Sequence, residues 1–103
     1  MKYSLRFHPE VEDDVLRGYT WYETRSPGLG EEFLRTFYRF AEEIPRNPLR
    51  YPKVYGAFRR RIMKKFPYAI YFQIKNNLVI VIGLFHCARD PRVIDSQLEN
   101  RKE

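Results

Sequence analysis

Residues 57–90, AFRRRIMKKFPYAIYFQIKNNLVIVIGLFHCARD, decide the fold of this chain because they hold three consecutive segments of strand-like sequence. The segments are 59–65, 68–75 and 78–86. β-Branched and aromatic residues dominate the last two, as is typical of strands. The intervening pairs are Phe66-Pro67 and Asn76-Asn77, and asparagine tolerates the positive φ that a two-residue hairpin turn requires. The stretch therefore predicts three antiparallel strands, and its run of cations makes it the expected contact surface.

The Asn76-Asn77 turn also determines which residues lie opposite each other on the last two strands. The resulting pairs are Lys75 with Leu78, Ile74 with Val79, Phe72 with Val81, Ile70 with Gly83, and Tyr68 with Phe85. These residues form an apolar face, which we expect to lie beneath helices. The opposite face, called the second face below, consists of Arg60, Ile62, Lys64, Ala69, Tyr71, Gln73, Ile80, Ile82, Leu84 and His86. No predicted helix is left to cover it, so either residues 87–103 or a partner lies on it.

The residues before this stretch predict one strand and two helices. Residues 2–7 alternate between polar and apolar side chains, which is typical of a half-buried strand. Pro9 opens a first helix, and Ser26-Pro27 opens a second one that ends at Asn47-Pro48. Apolar residues recur at helical spacing in the second helix, at Leu29, Phe33, Phe37, Phe40 and Ile44. The short connection predicts an antiparallel helical hairpin.

The predicted order is β-α-α-β-β-β, an α+β fold in which the helical hairpin packs on one face of a mainly antiparallel four-stranded sheet. Residues 48–56 are interpreted as an irregular connector and residues 87–103 as a charged tail. A chain of 103 residues supports one modest core, so residues 1–103 are expected to form a single domain.

The charge distribution predicts an acidic partner. The formal net charge is +6, and residues 44–75 contain nine basic residues and no acidic one. No apolar run approaches the roughly 20 residues that span a bilayer, and the N-terminus lacks a signal pattern. A single cysteine, Cys87, suits a reducing compartment. We therefore expect a cytoplasmic protein without a membrane partner.

Three residues are candidates for acid–base chemistry on a phosphate: His86, Arg60 and Arg89. The alternative is that His86 only caps its strand, hydrogen-bonded to Tyr71 or to the tail. Cys87 has no third orienting group beside it, and His8 has no metal-ligand spacing, so no metal or cofactor is expected.

Two features of the first helix also have a preferred interpretation. Its first turn carries four acids, which we interpret as a solvated helix start that complements the helix dipole: Glu10, Glu12, Asp13 and Asp14. Trp21 and Tyr22 are adjacent and cannot both face the core, so one of them is expected to be exposed.

Short motifs run in a fixed order along nearly the whole chain. They are HPE (8–10), WYE (21–23), SPGLGEEF (26–33), NP and YP (within 47–52), RR, FPY and Y (within 59–71) and FHCARDP (85–91). This order resembles the RelE/ParE superfamily, the toxins of bacterial type II toxin–antitoxin modules, often called plasmid stabilization proteins. The resemblance implies the same β-α-α-β-β-β fold and an antitoxin that wraps the toxin and neutralises it.

The superfamily contains ribosome-dependent ribonucleases and ParE-like toxins that poison DNA gyrase without nuclease chemistry. The ribonuclease pattern implies five functional positions, of which this chain keeps one, Arg60. The other positions hold Ile62, Ala69, Ala88 (one residue before Arg89) and Ile94. The chain therefore looks nearer to the ParE-like branch.

The expected function is a growth-inhibiting toxin that binds DNA gyrase and is neutralised by its antitoxin, without being an enzyme. The alternatives are a ribosome-dependent endoribonuclease acting on mRNA and a family member without activity. The face expected to bind the target or the antitoxin consists of Arg60, Ile62, Lys64, Tyr71, Gln73, Ile80, Ile82, Leu84, His86 and Arg89.

Overall fold

The computed structural model describes residues 2–103 as a five-stranded sheet with helices on both faces. The strands are β1 Ser4–Phe7, β2 Lys53–Tyr55, β3 Phe58–Ile62, β4 Tyr68–Lys75 and β5 Leu78–His86. The helices are α1 Val11–Arg25, α2 Leu29–Glu43 and α3 Pro91–Arg101. The strand order is β1-β5-β4-β3-β2, in which β1 is parallel to β5 and the other neighbours are antiparallel.

The predicted α+β class and the predicted order of elements are confirmed, with two additions. Residues 48–56 contain the short edge strand β2, so the sheet has five strands and the prediction of four is wrong by one. Residues 87–103, interpreted as a charged tail, contain α3. Asp90 caps this helix, because its side chain accepts a hydrogen bond from the Arg92 backbone N–H at 2.9 Å.

The connection between α1 and α2 differs in detail from the prediction. Helix α2 begins at Leu29, after Gly28 with φ of +90°, and not at Pro27. Gly28 suits this left-handed conformation because it has no Cβ. The Glu23 carboxylate of α1 accepts hydrogen bonds from the backbone N–H groups of Gly28 and Gly30, each at 3.0 Å. It therefore satisfies donors that helix starts leave unpaired.

The sheet separates two buried clusters. The first core lies between the α1–α2 hairpin and the sheet; its buried sheet residues are Ile70, Phe72, Val79, Val81 and Leu84. The second core lies between α3 and the other face of the sheet. It consists of Phe58, Ala69, Tyr71, Ile80, Ile82, Phe85, Ile94 and Leu98. Both faces of the central strands β4 and β5 are therefore covered, which accounts for their almost continuously apolar sequences.

Strand β5 contains a β-bulge at Ile82. Its pairing with β4 follows the predicted register as far as Phe72 and Val81, which lie opposite each other. The next pair is Tyr71 with Gly83, so Ile82 has no residue opposite it. One extra residue on one strand is what defines a β-bulge.

The bulge reverses the facing of every β5 residue that follows it. Ile70 lies opposite Leu84 and Tyr68 lies opposite His86, so the pairings predicted for these two β4 residues are wrong. A slip of one residue moves side chains to the other face of a sheet. Leu84 accordingly belongs to the first core, whereas Phe85 belongs to the second.

A buried ion pair connects α1 to α3. Arg101 Nη1 donates to Asp14 Oδ2 at 2.6 Å, and Arg101 Nη2 donates to Asp14 Oδ1 at 3.1 Å. Asp14 is 3% exposed and Arg101 is 4% exposed. The prediction that all four acids of the α1 start are solvated is therefore wrong for Asp14.

The same ion pair closes an open edge of the sheet. Strand β1 ends opposite Val81, so the outer edge of β5 has no strand beside it from Ile82 onward. Arg101 Nη1 donates to the Ile82 carbonyl at 3.1 Å, and the Leu84 N–H donates to Asp14 Oδ2 at 3.1 Å. Two buried backbone groups that would otherwise lack partners are thus satisfied by the pair.

Removing one member of this pair is expected to destabilise the fold strongly. Asp14→Ala leaves a buried guanidinium and the Leu84 N–H without their acceptor, so the free energy of unfolding is expected to fall by about 3–5 kcal/mol. Arg101→Ala is expected to cost a similar amount, and the double variant less than the sum of the two. Urea denaturation of the three variants measures this.

The exposed neighbour in the same helical turn provides the control for that experiment. Asp13→Ala changes the same charge at the helix start and is expected to stay within about 0.5 kcal/mol of the wild type. Equal losses for Asp13→Ala and Asp14→Ala would contradict a structural role of the ion pair.

Candidate functional site

Helix α3 covers the middle of the second face. Tyr71, Ile80 and Ile82 are each at most 4% exposed and belong to the second core, in contact with α3. Leu84 is equally buried, but on the side of the helical hairpin. Residues 87–103 therefore provide one of the two coverings that were predicted for this face. A partner cannot reach Tyr71, Ile80 or Ile82 while α3 is in place, and the helical hairpin covers Leu84.

One edge of the second face remains open beyond α3. Ile62 lies opposite Ala69 rather than Tyr71, so residues 63–67 form a longer connection than the predicted Phe66-Pro67 turn. A shift of two residues preserves facing, and Arg60, opposite Tyr71, stays on the predicted side. Ile62 is 54% exposed. The open edge therefore presents an apolar side chain beside a cation.

Lys64 and Gln73 have surroundings that the sequence did not predict. Lys64 lies in the connection after β3, where it lines a cleft against α2 together with Arg35 and Arg39. The Gln73 amide exchanges hydrogen bonds of 3.1 Å with the backbone of Glu103, at the end of the chain. Lys64 therefore faces the helical hairpin side, and Gln73 holds the residues after α3 against the sheet.

The three candidates for phosphate chemistry are not assembled into one site. Arg60 lies on the α3 side of the sheet, whereas His86, opposite Tyr68, lies on the side of the hairpin. His86 Nδ1 accepts a hydrogen bond from the Ala88 N–H at 3.0 Å, and its ring meets the Tyr68 ring edge-on at 5.1 Å. The hydrogen bond therefore joins His86 to the segment 87–103, as one form of the strand-cap alternative predicted, and not to Tyr71.

Two positions that the resemblance gives to ribonuclease residues lie inside the second core. Ala69 is fully buried and Ile94 is 5% exposed, and both contact the sheet–α3 interface. Ile62 and Ala88, at two further positions, carry no acid, base or cation. These positions contribute apolar contacts and no proton-transfer group.

His86 and Arg89 instead share a small cleft with residues of α1 that are not among the predicted site residues. The cleft has a volume of about 190 Å³ and is also lined by Arg17, Trp21 and Tyr68. Burial raises the pKa of the Tyr68 hydroxyl, and the nearby Arg17 guanidinium opposes part of that rise. Arg17 and Trp21 are four residues apart, and this spacing indicates that they lie on the same face of α1.

The two adjacent aromatic residues of α1 divide as predicted. Trp21 is 49% exposed, and the Arg25 guanidinium lies 3.3 Å from the centre of its ring. Tyr22 is half-buried against Phe33 and Phe66 of the first core.

Within residues 2–103, no three His, Cys, Asp or Glu side chains are grouped so that they could hold a metal ion. The helices of this same region are all too short or too polar to cross a bilayer.

Comparison with known proteins identifies the class. The family model described as the ParE toxin of the type II toxin–antitoxin system parDE matches residues 5–91. The chain is also similar to Toxin ParE2 from two strains of Mycobacterium tuberculosis, CDC 1551 / Oshkosh and ATCC 25618 / H37Rv. It is 20% identical to each over 102 residues, covering 98% of this chain and 97% of the relative.

Solved structures share the fold. A chain of the chromosomal ParDE toxin–antitoxin system from P. aeruginosa superposes with a TM-score of 0.76 at 12% identity, covering 82% of this chain and 96% of the other. A mutant of E. coli toxin RelE in the free state gives a TM-score of 0.57 at 14% identity, covering 97% and 98%.

The fold and the matched region therefore define a type II toxin of the RelE/ParE superfamily. Within that superfamily, the chain belongs to the ParE toxin family.

Proposed function

We propose that this toxin inhibits growth by binding a protein target, DNA gyrase, and that it does so without cleaving RNA. Its site of action would be the cytoplasm, and a cognate antitoxin would neutralise it as part of a plasmid-stabilization or chromosomal module. Membership of the ParE family and the arrangement of the candidate residues support this proposal.

The burial of Ala69 and Ile94 is the observation that favours this proposal over the ribonuclease alternative. Cleavage of RNA by attack of a 2′-hydroxyl requires cations at the phosphate and a positioned acid and base. In this chain α3 packs on the sheet through apolar residues at the positions where the resemblance implies such groups. Arg60 and His86, which remain, lie on opposite faces of the sheet. These two residues therefore cannot act on one phosphate, and Arg89, which shares a cleft with His86, is a permanent cation and neither an acid nor a base.

The open edge of the second face supports the proposed antitoxin contact. Ile62 is exposed on the same face of the sheet as Arg60, and Arg60 forms no ion pair with any of residues 2–103. The neighbouring Arg61 differs, because Glu43 pairs with it at 2.9 Å on the hairpin side. An exposed aliphatic side chain beside an unpaired cation fits an acidic, amphipathic partner.

The toxin is expected to inhibit gyrase and to spare translation. Purified wild-type protein added to a plasmid supercoiling reaction should reduce supercoiling by gyrase, whereas a translation extract should proceed normally and show no new mRNA ends. His86→Ala should behave as the wild type in both assays, because His86 takes no part in gyrase binding in this proposal.

A ribosome-dependent ribonuclease serves as the positive control in the extract, and an unrelated basic protein of similar charge as the control in the supercoiling reaction. New mRNA ends that disappear in the His86→Ala variant would refute the binding mechanism and favour the ribonuclease. Inactivity in both assays would favour a family member without activity.

Ile62→Asp is expected to weaken antitoxin binding by about tenfold or more, because it replaces an interfacial aliphatic side chain with a carboxylate facing an acidic partner. The partner for this test is the cognate antitoxin, which we expect to be acidic, and calorimetric titration measures the affinity. Leu49→Asp is the matched control, since Leu49 is 60% exposed but lies on the turn after α2. Unchanged affinity for Ile62→Asp, or equal losses for both variants, would contradict this contact.

A further inference from the structure

The cleft between α1 and the end of β5 has a composition that the toxin function does not use. Two of its lining residues, Arg17 and Trp21, come from α1, and three come from the sheet and the turn that follows it: Tyr68, His86 and Arg89. Phe85 of the second core lines the cleft, but Ile62 lies on β3 and does not. The cleft is therefore separate from the proposed antitoxin contact at Ile62.

The cleft offers hydrogen-bond donors in excess of acceptors. Arg17 and Arg89 contribute guanidinium groups, and Tyr68 contributes a hydroxyl. Because His86 Nδ1 accepts the Ala88 N–H, the neutral imidazole carries its proton on Nε2, which makes Nε2 a further donor. Four side chains from separate segments thus present donors to one small space.

The one carboxylate at the cleft is already satisfied. Asp14 accepts from Arg101, from the Leu84 N–H and, at 2.7 Å, from Arg17 Nη2. Arg101 pairs with Asp14 and also, at 3.8 Å, with the exposed Glu10, so the two guanidinium groups that line the cleft, those of Arg17 and Arg89, face one carboxylate that is already paired. Arg89 forms no ion pair with any residue from 2 to 103; its guanidinium lies 5.3 Å from the centre of the Phe85 ring.

Two guanidinium groups, of which that of Arg89 is unpaired among the described residues, match a terminal phosphate group better than a carboxylate. A phosphate monoester carries about −1.5 to −2 charge at neutral pH and three outer oxygens, whereas a carboxylate carries one charge and two oxygens. Guanidinium groups bind such oxyanions through charge-assisted hydrogen bonds.

Trp21 forms a wall of the cleft and also borders a second groove. That groove runs along the exposed side of α1, has a volume of about 640 Å³, and shares both Arg17 and Trp21 with the cleft. The Arg25 guanidinium covers one face of the indole ring. The exposed remainder of the ring is available to an organic group attached to a phosphate in the cleft.

We propose that this cleft binds a terminal phosphate group, which Arg17, Arg89 and the His86 Nε2–H hold by its outer oxygens. Tyr68 donates a further hydrogen bond, and Trp21 contacts the group that carries the phosphate. The ligand class is a small phosphate monoester such as a nucleoside monophosphate, with inorganic phosphate as the minimal ligand.

The chain provides its own reporter for the test, because Trp21 is its only tryptophan. Titrations with inorganic phosphate, 5′-AMP and adenosine, at constant ionic strength, should give saturable changes in fluorescence with the first two and none with adenosine. AMP should bind more tightly than phosphate. Arg89→Gln should weaken both by about tenfold or more through loss of a charge-assisted contact.

Arg46→Gln is the control variant, since it removes the same charge from an exposed residue after α2 that does not line the cleft. It should bind phosphate as the wild type does, and thermal unfolding should show that both variants are folded. Any of three results would overturn the proposal. They are saturable binding of adenosine, the absence of a saturable change with phosphate or AMP, and an equal loss of affinity in the Arg89→Gln and Arg46→Gln variants. AMP binding no tighter than phosphate would overturn the part assigned to Trp21.

Discussion

The rest of the structure depends on the bidentate bond between Asp14 and Arg101. It joins the first helix to the last. It also provides hydrogen-bond partners for the Ile82 carbonyl and the Leu84 N–H of β5, beyond the point where β1 ends. A buried charge without its partner costs several kcal/mol of folding free energy, roughly 3–5. If α3 left the sheet, Asp14 would lose the Arg101 guanidinium, so that movement is unfavourable. The pair therefore keeps α3 on the second face, and α3 in turn decides which residues a partner can reach.

The elements with a strong local pattern could be predicted from the sequence. The stripe from Leu29 to Ile44 and the hairpin around Asn76-Asn77 follow directly from helical and strand periodicity. The bulge at Ile82 could not, because an extra residue leaves the apolar alternation of β5 nearly unchanged. Its one local trace is Gly83, where a Cβ would lie 2.5 Å from the Phe85 ring. A register without the bulge assigns Leu84 and His86 to the second face, whereas both lie on the side of the helical hairpin.

The remaining differences come from contacts between distant parts of the chain. Helix α3 contributes only Ile94 and Leu98 to the second core, and the rest of its sequence is mainly polar or charged. Two apolar residues are too few to indicate a helix by their spacing. Asp14 is one of several acids at the start of α1, and only a partner 87 residues away distinguishes it. The cleft that unites His86 and Arg89 with Arg17 likewise joins segments with no relation in sequence.

These contacts support the proposed binding function, because α3 fills the middle of the second face and the accessible cations lie at its edges. The most direct test is calorimetric titration of the purified toxin into purified DNA gyrase and, separately, into 70S ribosomes. Saturable binding to gyrase with no binding to ribosomes is the predicted result. Binding to ribosomes without binding to gyrase would contradict the account.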